Sequence, residues 1–350
     1  MRRRLEACLS ESNTCLRSHC SESPGIGEGG SGGERSPGRR AGHGSVDSVR
    51  YAVITPARDE GQFLTDLIED MLGQVARPQR WVIVDDGSDD DTADTVRQVA
   101  ATNDWITLVS LPRGRVRLPG SGVIHAFNAG LERVDTRALE YIVKLDADLR
   151  IPPDYFGRIF QAFAERPFLG VAGGACVEDG KLAGTWPPYH VRGATKVYRA
   201  ACFEDIGGLV PVLAWDGVDI ASAVAHGWET CTLLEVRFEH RRPAGSHPDA
   251  GGIIGGRLRQ GRGNYILNSL PLTPILRAMR IALRRPPLLG SLALLWGYVS
   301  AFFSGVERVT DPETVRMQRL LELRKLVGLT DVRGLARRQR ERRRLGLIPP

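Results

Sequence analysis

The chain has 350 residues, 42% hydrophobic and 25% charged, which suits one core of about 200–250 residues with appendages. Its 40 Gly and 21 Pro follow no Gly-X-Y period and sit among long apolar stretches, which excludes both a collagen and a chain disordered throughout. A formal charge of +6 permits an anionic partner such as a nucleotide phosphate, a lipid headgroup or a nucleic acid. Only Lys144, Lys181, Lys196 and Lys325 of the 47 basic residues are lysines, a bias read here as coding-sequence composition rather than chemistry. Six cysteines occur without a C-x-x-C spacing, so neither a zinc ribbon nor a disulfide framework is expected and free thiols are. No apolar stretch follows the basic start Met1 to Arg4, so no secretory signal is read there.

Residues 1–48 are rich in Ser, Gly, Glu and Arg without periodicity, a composition that predicts a disordered tail. That reading leaves open a natural start near Val46 or Val49. From Tyr51 the pattern changes. Tyr51-Ala-Val-Ile-Thr-Pro reads as a short strand, and Phe63, Leu64, Leu67, Ile68, Met71, Leu72 and Val75 recur at helical spacing. Trp81-Val-Ile-Val-Asp-Asp is a second strand, followed by a helix with Ala93, Val96, Val99 and Ala100 on one face. Ile106 to Leu111 is a third strand. A basic Gly-rich loop with Arg113, Arg115 and Arg117 leads to a helix over Ile124 to Val134, then to strands at Tyr141 to Leu145 and Gly170 to Val177. Continuous apolar strands alternating with helices predict an α/β fold, a mostly parallel sheet covered on both faces.

In such a sheet, ligands bind beyond the carboxyl ends of the strands. Acidic clusters fall at those ends: Asp59-Glu60, Asp85-Asp86 and Asp146-Ala-Asp148, with Trp215-Asp-Gly-Val-Asp219 ahead of an apolar helix. Carboxylates massed there would repel a polyanion unless a divalent cation bridges them. Mg²⁺ and Mn²⁺ prefer oxygen ligands shared with substrate phosphates, and Asp146 and Asp148 have the spacing for it.

Val53-Ile-Thr-Pro-Ala-Arg-Asp-Glu, Val82-Ile-Val-Asp-Asp-Gly-Ser-Asp-Asp-Asp-Thr and Val143-Lys-Leu-Asp-Ala-Asp, in that order, resemble the donor half of a family 2 glycosyltransferase with the GT-A fold. Gly207-Gly-Leu followed by Trp215-Asp-Gly-Val-Asp is similar to the acceptor half, so the resemblance spans roughly residues 51–245. It implies a nucleotide-diphosphate-sugar donor, Mn²⁺ or Mg²⁺, and inversion at the anomeric carbon. It also implies that Thr55, Pro56, Arg58 and Glu60 line the nucleotide pocket. Asp86, with Asp85, would accept from the base. Asp146 would serve the ribose or the metal, Asp148 would ligate the metal, and Arg192 would lie near the sugar.

A general base must take the proton of the acceptor hydroxyl, and Asp216 and Asp219 are its candidates. The family's Glu-Asp-x-Asp is absent. Alignment on Val218-Asp219 puts Gly217 where the base stands, whereas alignment on the Trp-Asp pair makes Asp216 the base. His240, in Arg237-Phe-Glu-His-Arg-Arg242, is a candidate further ligand of the metal or diphosphate.

Pro286 to Val306 is 21 residues without a charge, just long enough to cross a bilayer core. A single span, an interfacial helix with Trp296 and Tyr298 at the headgroups, and a buried hairpin are all open readings. The arginines before it suit an anionic leaflet. The expected organisation is a tail over 1–48, a GT-A catalytic domain over 49–250, an Arg/Gly-rich segment and membrane-contact helix over 251–306, and a charged helix with a basic tail over 307–350. The expected activity extends a lipid-linked glycan for surface polysaccharide from the cytoplasmic side of the membrane; direct transfer to a polyprenyl phosphate is the rival. A nucleotidyltransferase would carry a Gly-rich basic loop after the first strand. A nucleic-acid binder would interleave aromatics with its basic residues. The sequence does neither, so no nucleic-acid partner is expected.

Overall fold

The computed structural model describes residues 49–348 except 115–117, 119, 185–186, 243–250 and 284–287. The N-terminal tail, Arg115, Arg117, Arg284 and Arg285 therefore lie outside the described residues.

Continuous apolar runs at the start of the chain form parallel strands because both of their faces can be buried. β1 (Tyr51–Ala57) lies between β2 (Arg80–Asp85) and β4 (Tyr141–Leu145), and β3 (Ile106–Ser110) flanks β2, all parallel. Alternation along β1 sends Tyr51 and Val53 to one core and Ala52 and Ile54 to the other. The first core is covered by α1 (Gly61–Leu72), α2 (Thr92–Ala100) and α4 (Tyr155–Glu165), the second by α3 (Ser121–Leu131), with α5 (Ala200–Asp205) and α6 (Trp215–Ala225).

Beyond β4 the sheet continues through β8 (Thr195–Arg199), β6 (Leu169–Glu178) and β9 (Glu229–His240), with the two-residue strands β5 (Leu149–Arg150) on β9 and β7 (Lys181–Leu182) on β6. β8 is antiparallel to both of its neighbours while β6 and β9 are parallel, so the other long strands share one direction. The mostly parallel sheet expected from the sequence is thus present, with one reversed strand inserted at its centre. β8 and β9 escape sequence reading because Lys196, Arg199, Thr230, Thr232, Arg237 and Glu239 break their apolar runs.

The expected helix boundaries shift at several points. α1 stops at Leu72 rather than Val75 because Gly73 caps it and the Val75 N–H donates instead to Pro153 O at 2.9 Å. α6 begins at Trp215 itself, after Ala214 in a left-handed conformation (φ 66°) that is costly for a residue with a Cβ.

The Gly/Arg-rich segment is helical despite its glycines: α7 (Gly252–Ile266), then α8 (Leu272–Ile281) and α9 (Leu289–Phe303). Its glycines serve a close approach. A Cβ on Gly261 would lie 1.9 Å from Leu294 O, and one on Gly297 would lie 2.1 Å from Leu258 O, so α7 and α9 touch backbone to backbone. Of the 21-residue uncharged run, α9 takes 15. Among the described residues no helix is long and apolar enough to cross a membrane.

The segment after residue 307 forms α10 (Pro312–Leu326) and α11 (Arg333–Arg344), so the basic end is itself helical. Met317, Leu321, Val332 and Leu335 join the core cluster that contains Trp215 and Ile220. Glu322 fastens α10 by accepting from Thr273 Oγ1 (2.8 Å), the Leu270 N–H (3.1 Å) and Ser269 Oγ.

Candidate active site

The loops after β1 and β2 are stitched together by their own polar groups. Asp59, at φ 56°, donates its N–H to Ser88 Oγ and accepts from the Asp89 N–H, both at 2.9 Å. The Glu60 N–H donates to Thr92 Oγ1 (2.9 Å) and the Gly61 N–H to Asp90 Oδ2 (3.0 Å). Asp85 is buried and accepts from the Ser88 N–H at 2.9 Å, while the Asp86 N–H donates to Ala57 O at 2.8 Å. Pro56 is buried in β1, and the Thr55 hydroxyl accepts from Trp81 Nε1 at 2.9 Å inside the core. Arg58 lies half-buried between β1 and Glu60.

At the end of β4, Lys144 Nζ donates to Asp146 Oδ1 and, at 2.6 Å, to Gly193 O. Burial raises the Asp146 carboxyl, against the pull of Lys144. Asp148 receives Arg242 Nε at 3.1 Å and has His240 Nε2 at 3.3 Å. Burial would raise the Asp148 carboxyl, but His240 and then Arg242 hold it below the usual carboxylate range. Burial opposes the charged form of His240 in turn, yet Asp148 lifts its pKa above the usual value. Arg242 also bonds Glu60, whose carboxyl is pushed up to about 7 by burial in spite of that partner.

Ligand atoms of Asp146, Asp148 and His240 lie within 4.8 Å of one another. This oxygen-rich group with one imidazole fits Mg²⁺ or Mn²⁺, and its buried His240 Nδ1 has no hydrogen-bond partner among the described residues, with Glu178 Oε1 3.8 Å away. Arg192 donates to Glu178 Oε1 at 3.1 Å beside this group.

Asp146, His240, Arg192 and Asp216 line one cleft of about 1280 Å³, together with Lys144, His190, Trp215 and residues of α7. Thr55, Pro56, Arg58, Glu60, Asp85, Asp86 and Asp148 stand outside its wall, at the neighbouring strand ends; of these, Glu60 and Asp148 pair with Arg242, and Asp148 also meets the cleft-lining His240.

The two candidate bases have opposite surroundings. Asp216, its side chain 37% exposed, sits in the first turn of α6. His190 Nε2 is 4.0 Å away, and burial, then the Lys196 ammonium, pushes His190 down to about 3, so this imidazole is neutral. Asp219 is buried, and its carboxylate takes Lys196 Nζ at 2.8 and 2.6 Å, the Ile220 N–H at 2.7 Å and the Tyr198 hydroxyl. Asp219 is thereby saturated with donors in the core, away from the cleft.

Lys144 and Lys196 are groups that the sequence reading passed over. They are register partners across β4 and β8, both buried, with their ammonium groups 5.4 and 5.0 Å from the Trp215 ring. Two of the four lysines in an arginine-dominated chain therefore brace the site. The available signal was a charged residue inside an apolar strand, as in Val143-Lys144-Leu145.

An open α/β sheet with one reversed strand, carboxylates at its strand ends and a cleft closed by helices after the last strand is the GT-A architecture expected from the sequence. Residues 52–216 match the model of Glycosyl transferase family 2. The match takes in slightly less than half of the chain.

The chain is similar to the poly-beta-1,6-N-acetyl-D-glucosamine synthase of Staphylococcus aureus, at 27% identity over 116 residues, which is 33% of this chain and 26% of that protein. The match thus spans about a quarter of the relative's length. Among solved structures, the mannosyltransferase PcManGT of Pyrobaculum calidifontis, in complex with GDP-Man and Mn²⁺, is 20% identical, covering 84% of this chain and 86% of that one with a TM-score of 0.48. Residues 1–349 of S. aureus TarS are 17% identical, covering 85% and 92% with a TM-score of 0.49.

Proposed function

We propose that the protein transfers a sugar, with inversion, from a nucleotide-diphosphate sugar to the hydroxyl of a lipid-linked glycan in surface polysaccharide synthesis, working peripherally at the cytoplasmic face of a membrane. One observation carries this reading: a single cleft is lined by the Asp146–His240 group, by Arg192 and by Asp216, the one member of the Asp216/Asp219 pair that faces it.

Asp216 is the general base. It takes the acceptor proton as the acceptor oxygen bonds to the anomeric carbon and the bond from that carbon to the diphosphate breaks. Asp219 holds α6 in place through Lys196. Asp85 and Asp86 accept from the base of the nucleotide, and Thr55, Pro56, Arg58 and Glu60 shape its pocket, Thr55 through its backbone. Asp146, Asp148 and His240 would hold Mn²⁺ or Mg²⁺, which supplies electrostatic stabilisation of the departing diphosphate. Arg192 and Arg242 add positive charge on the same side. The rival acceptor, a polyprenyl phosphate, is favoured by Arg257, Arg259 and Arg277 in the cleft wall and would reveal itself as a single-sugar polyprenyl product.

The test is a thermal-shift panel of UDP, GDP, CDP, dTDP and ADP, each with Mn²⁺, Mg²⁺ or EDTA. A ligand at 100 times its dissociation constant adds about 2.7 kcal/mol. Stabilisation by one diphosphate only with metal is the expected result. Folded protein that responds to none of them overturns the donor site.

A further inference from the structure

Helices α7, α8 and α9 leave a broad apolar face in solvent. Met279, Leu283, Trp296 and Phe303 are 68, 94, 64 and 80% exposed, and Leu272, Leu288, Leu292 and Phe302 are each more than half exposed. Between α7 and α9 runs a groove of about 720 Å³ lined by eight residues, every one apolar, from Ile254 and Leu258 to Trp296 and Val299. Soluble monomers rarely expose a contiguous apolar area beyond a few hundred Å².

Charge identifies the occupant. Residues 251–306 contain seven arginines and no aspartate or glutamate, which more than accounts for the +6 of the whole chain. Arg262 and Arg280 are exposed on α7 and α8, while Arg257, Arg259 and Arg277 line the catalytic cleft. A second copy seated on this face would bring two equally positive surfaces together, which opposes self-association. A nucleic acid would leave the exposed apolar side chains in water.

We infer that this face docks on an anionic lipid surface, with Trp296, Phe302, Phe303 and Leu283 entering the headgroup boundary and the arginines meeting lipid phosphates. α7 carries the consequence for catalysis. Its Ile254 and Leu258 wall the groove while its Gly256, Gln260 and Gly263 wall the cleft. Docking therefore holds one side of the catalytic cleft at headgroup level. This deepens the proposed function and rests on it for the lipid-linked acceptor, which would enter the cleft without leaving the membrane.

The full chain is sedimented with vesicles of pure phosphatidylcholine and with vesicles containing 30% phosphatidylglycerol, at 0.1 and 0.5 M NaCl. Binding at least tenfold stronger to the anionic vesicles, and weakened by salt, is expected. The double variant Trp296→Asp/Phe303→Asp alters only exposed side chains and should lose that binding while keeping its circular dichroism and its affinity for the nucleoside diphosphate. Arg262→Gln/Arg280→Gln should reduce binding to anionic vesicles alone. Absence of vesicle binding, or binding unchanged in the aspartate variant, overturns the inference. So does a dimer in light scattering that the aspartate variant dissolves. Nucleoside diphosphate affinity measured on the same samples separates the two proposals: its loss with vesicle binding intact sinks the donor site, and the converse sinks the docking face.

Discussion

Lys196→Met removes the cation from a pair in which both side chains are almost completely buried, 0% exposed for Lys196 and 2% for Asp219. The Asp219 carboxylate would keep the Tyr198 hydroxyl and the Ile220 N–H but lose its counter-charge, and the Asp216 carbonyl would lose its 3.0 Å bond from Lys196. Breaking a buried ion pair from one side costs about 3–5 kcal/mol. Relief of repulsion from Lys144, the register partner of Lys196, offsets part of this, so a loss of about 3 kcal/mol is expected. At roughly 2–4 °C per kcal/mol the midpoint should fall by roughly 6–12 °C. Urea unfolding should show a lower midpoint with an unchanged slope. The double variant Lys196→Met/Asp219→Leu should regain much of the loss, because removing both charges leaves no uncompensated buried charge. A single variant that loses less than about 1 kcal/mol, or a double variant no better than the single, would refute the argument that this pair is dry and coupled.

Asp216→Asn should lower turnover by about 10²–10⁴-fold with nucleoside diphosphate affinity unchanged; full turnover in a stably folded variant would remove the general-base role. His190 remains neutral in the folded protein down to about pH 3, whereas its ordinary value is 6.5. The unfolded chain therefore binds a proton there first, and stability falls as pH drops through that window by up to about 1.4 kcal/mol per pH unit. His190→Gln should flatten this slope between pH 6 and 4, and an identical slope in the variant would show that the imidazole is hydrated. Gly261→Ala must push α9 away from α7, because its Cβ would lie 1.9 Å from Leu294 O. A loss of about 1–3 kcal/mol is expected in thermal unfolding, together with weaker vesicle binding and unchanged nucleotide affinity. Arg242→Gln releases Asp148 and Glu60 from their shared guanidinium. Mn²⁺ affinity measured by calorimetry without nucleotide should then change, and an identical affinity would show that Arg242 does not compete for that carboxylate.

Local pattern alone determined a good part of this protein. Apolar runs such as Tyr51–Ala57 and Tyr141–Leu145 have no polar face to offer water, so they read directly as strands buried on both sides, and the acids that end them read as a ligand edge. Asp146, Asp148 and His240 were legible as metal candidates because their chemistry is local to each residue type. What tertiary structure alone decided is which of these groups meet, and in what surroundings. Asp216 and Asp219 are equivalent in composition and three residues apart. Yet one lines the cleft, and the other is drawn into the core by Lys196 and Tyr198 on β8, a strand whose reversed insertion no periodicity announces. Within the arginine-rich, glycine-dotted stretch from 251 to 306, the uncharged run from 286 reads as a span, an interfacial helix or a buried hairpin. Only the backbone contact of Gly261 and Gly297 across α7 and α9 makes it a helical platform with its apolar side turned outward. Sequence carries the chemistry of each side chain, but the free energy of a charge or an apolar group depends on its neighbours, and neighbours distant in the chain are assigned only by the fold.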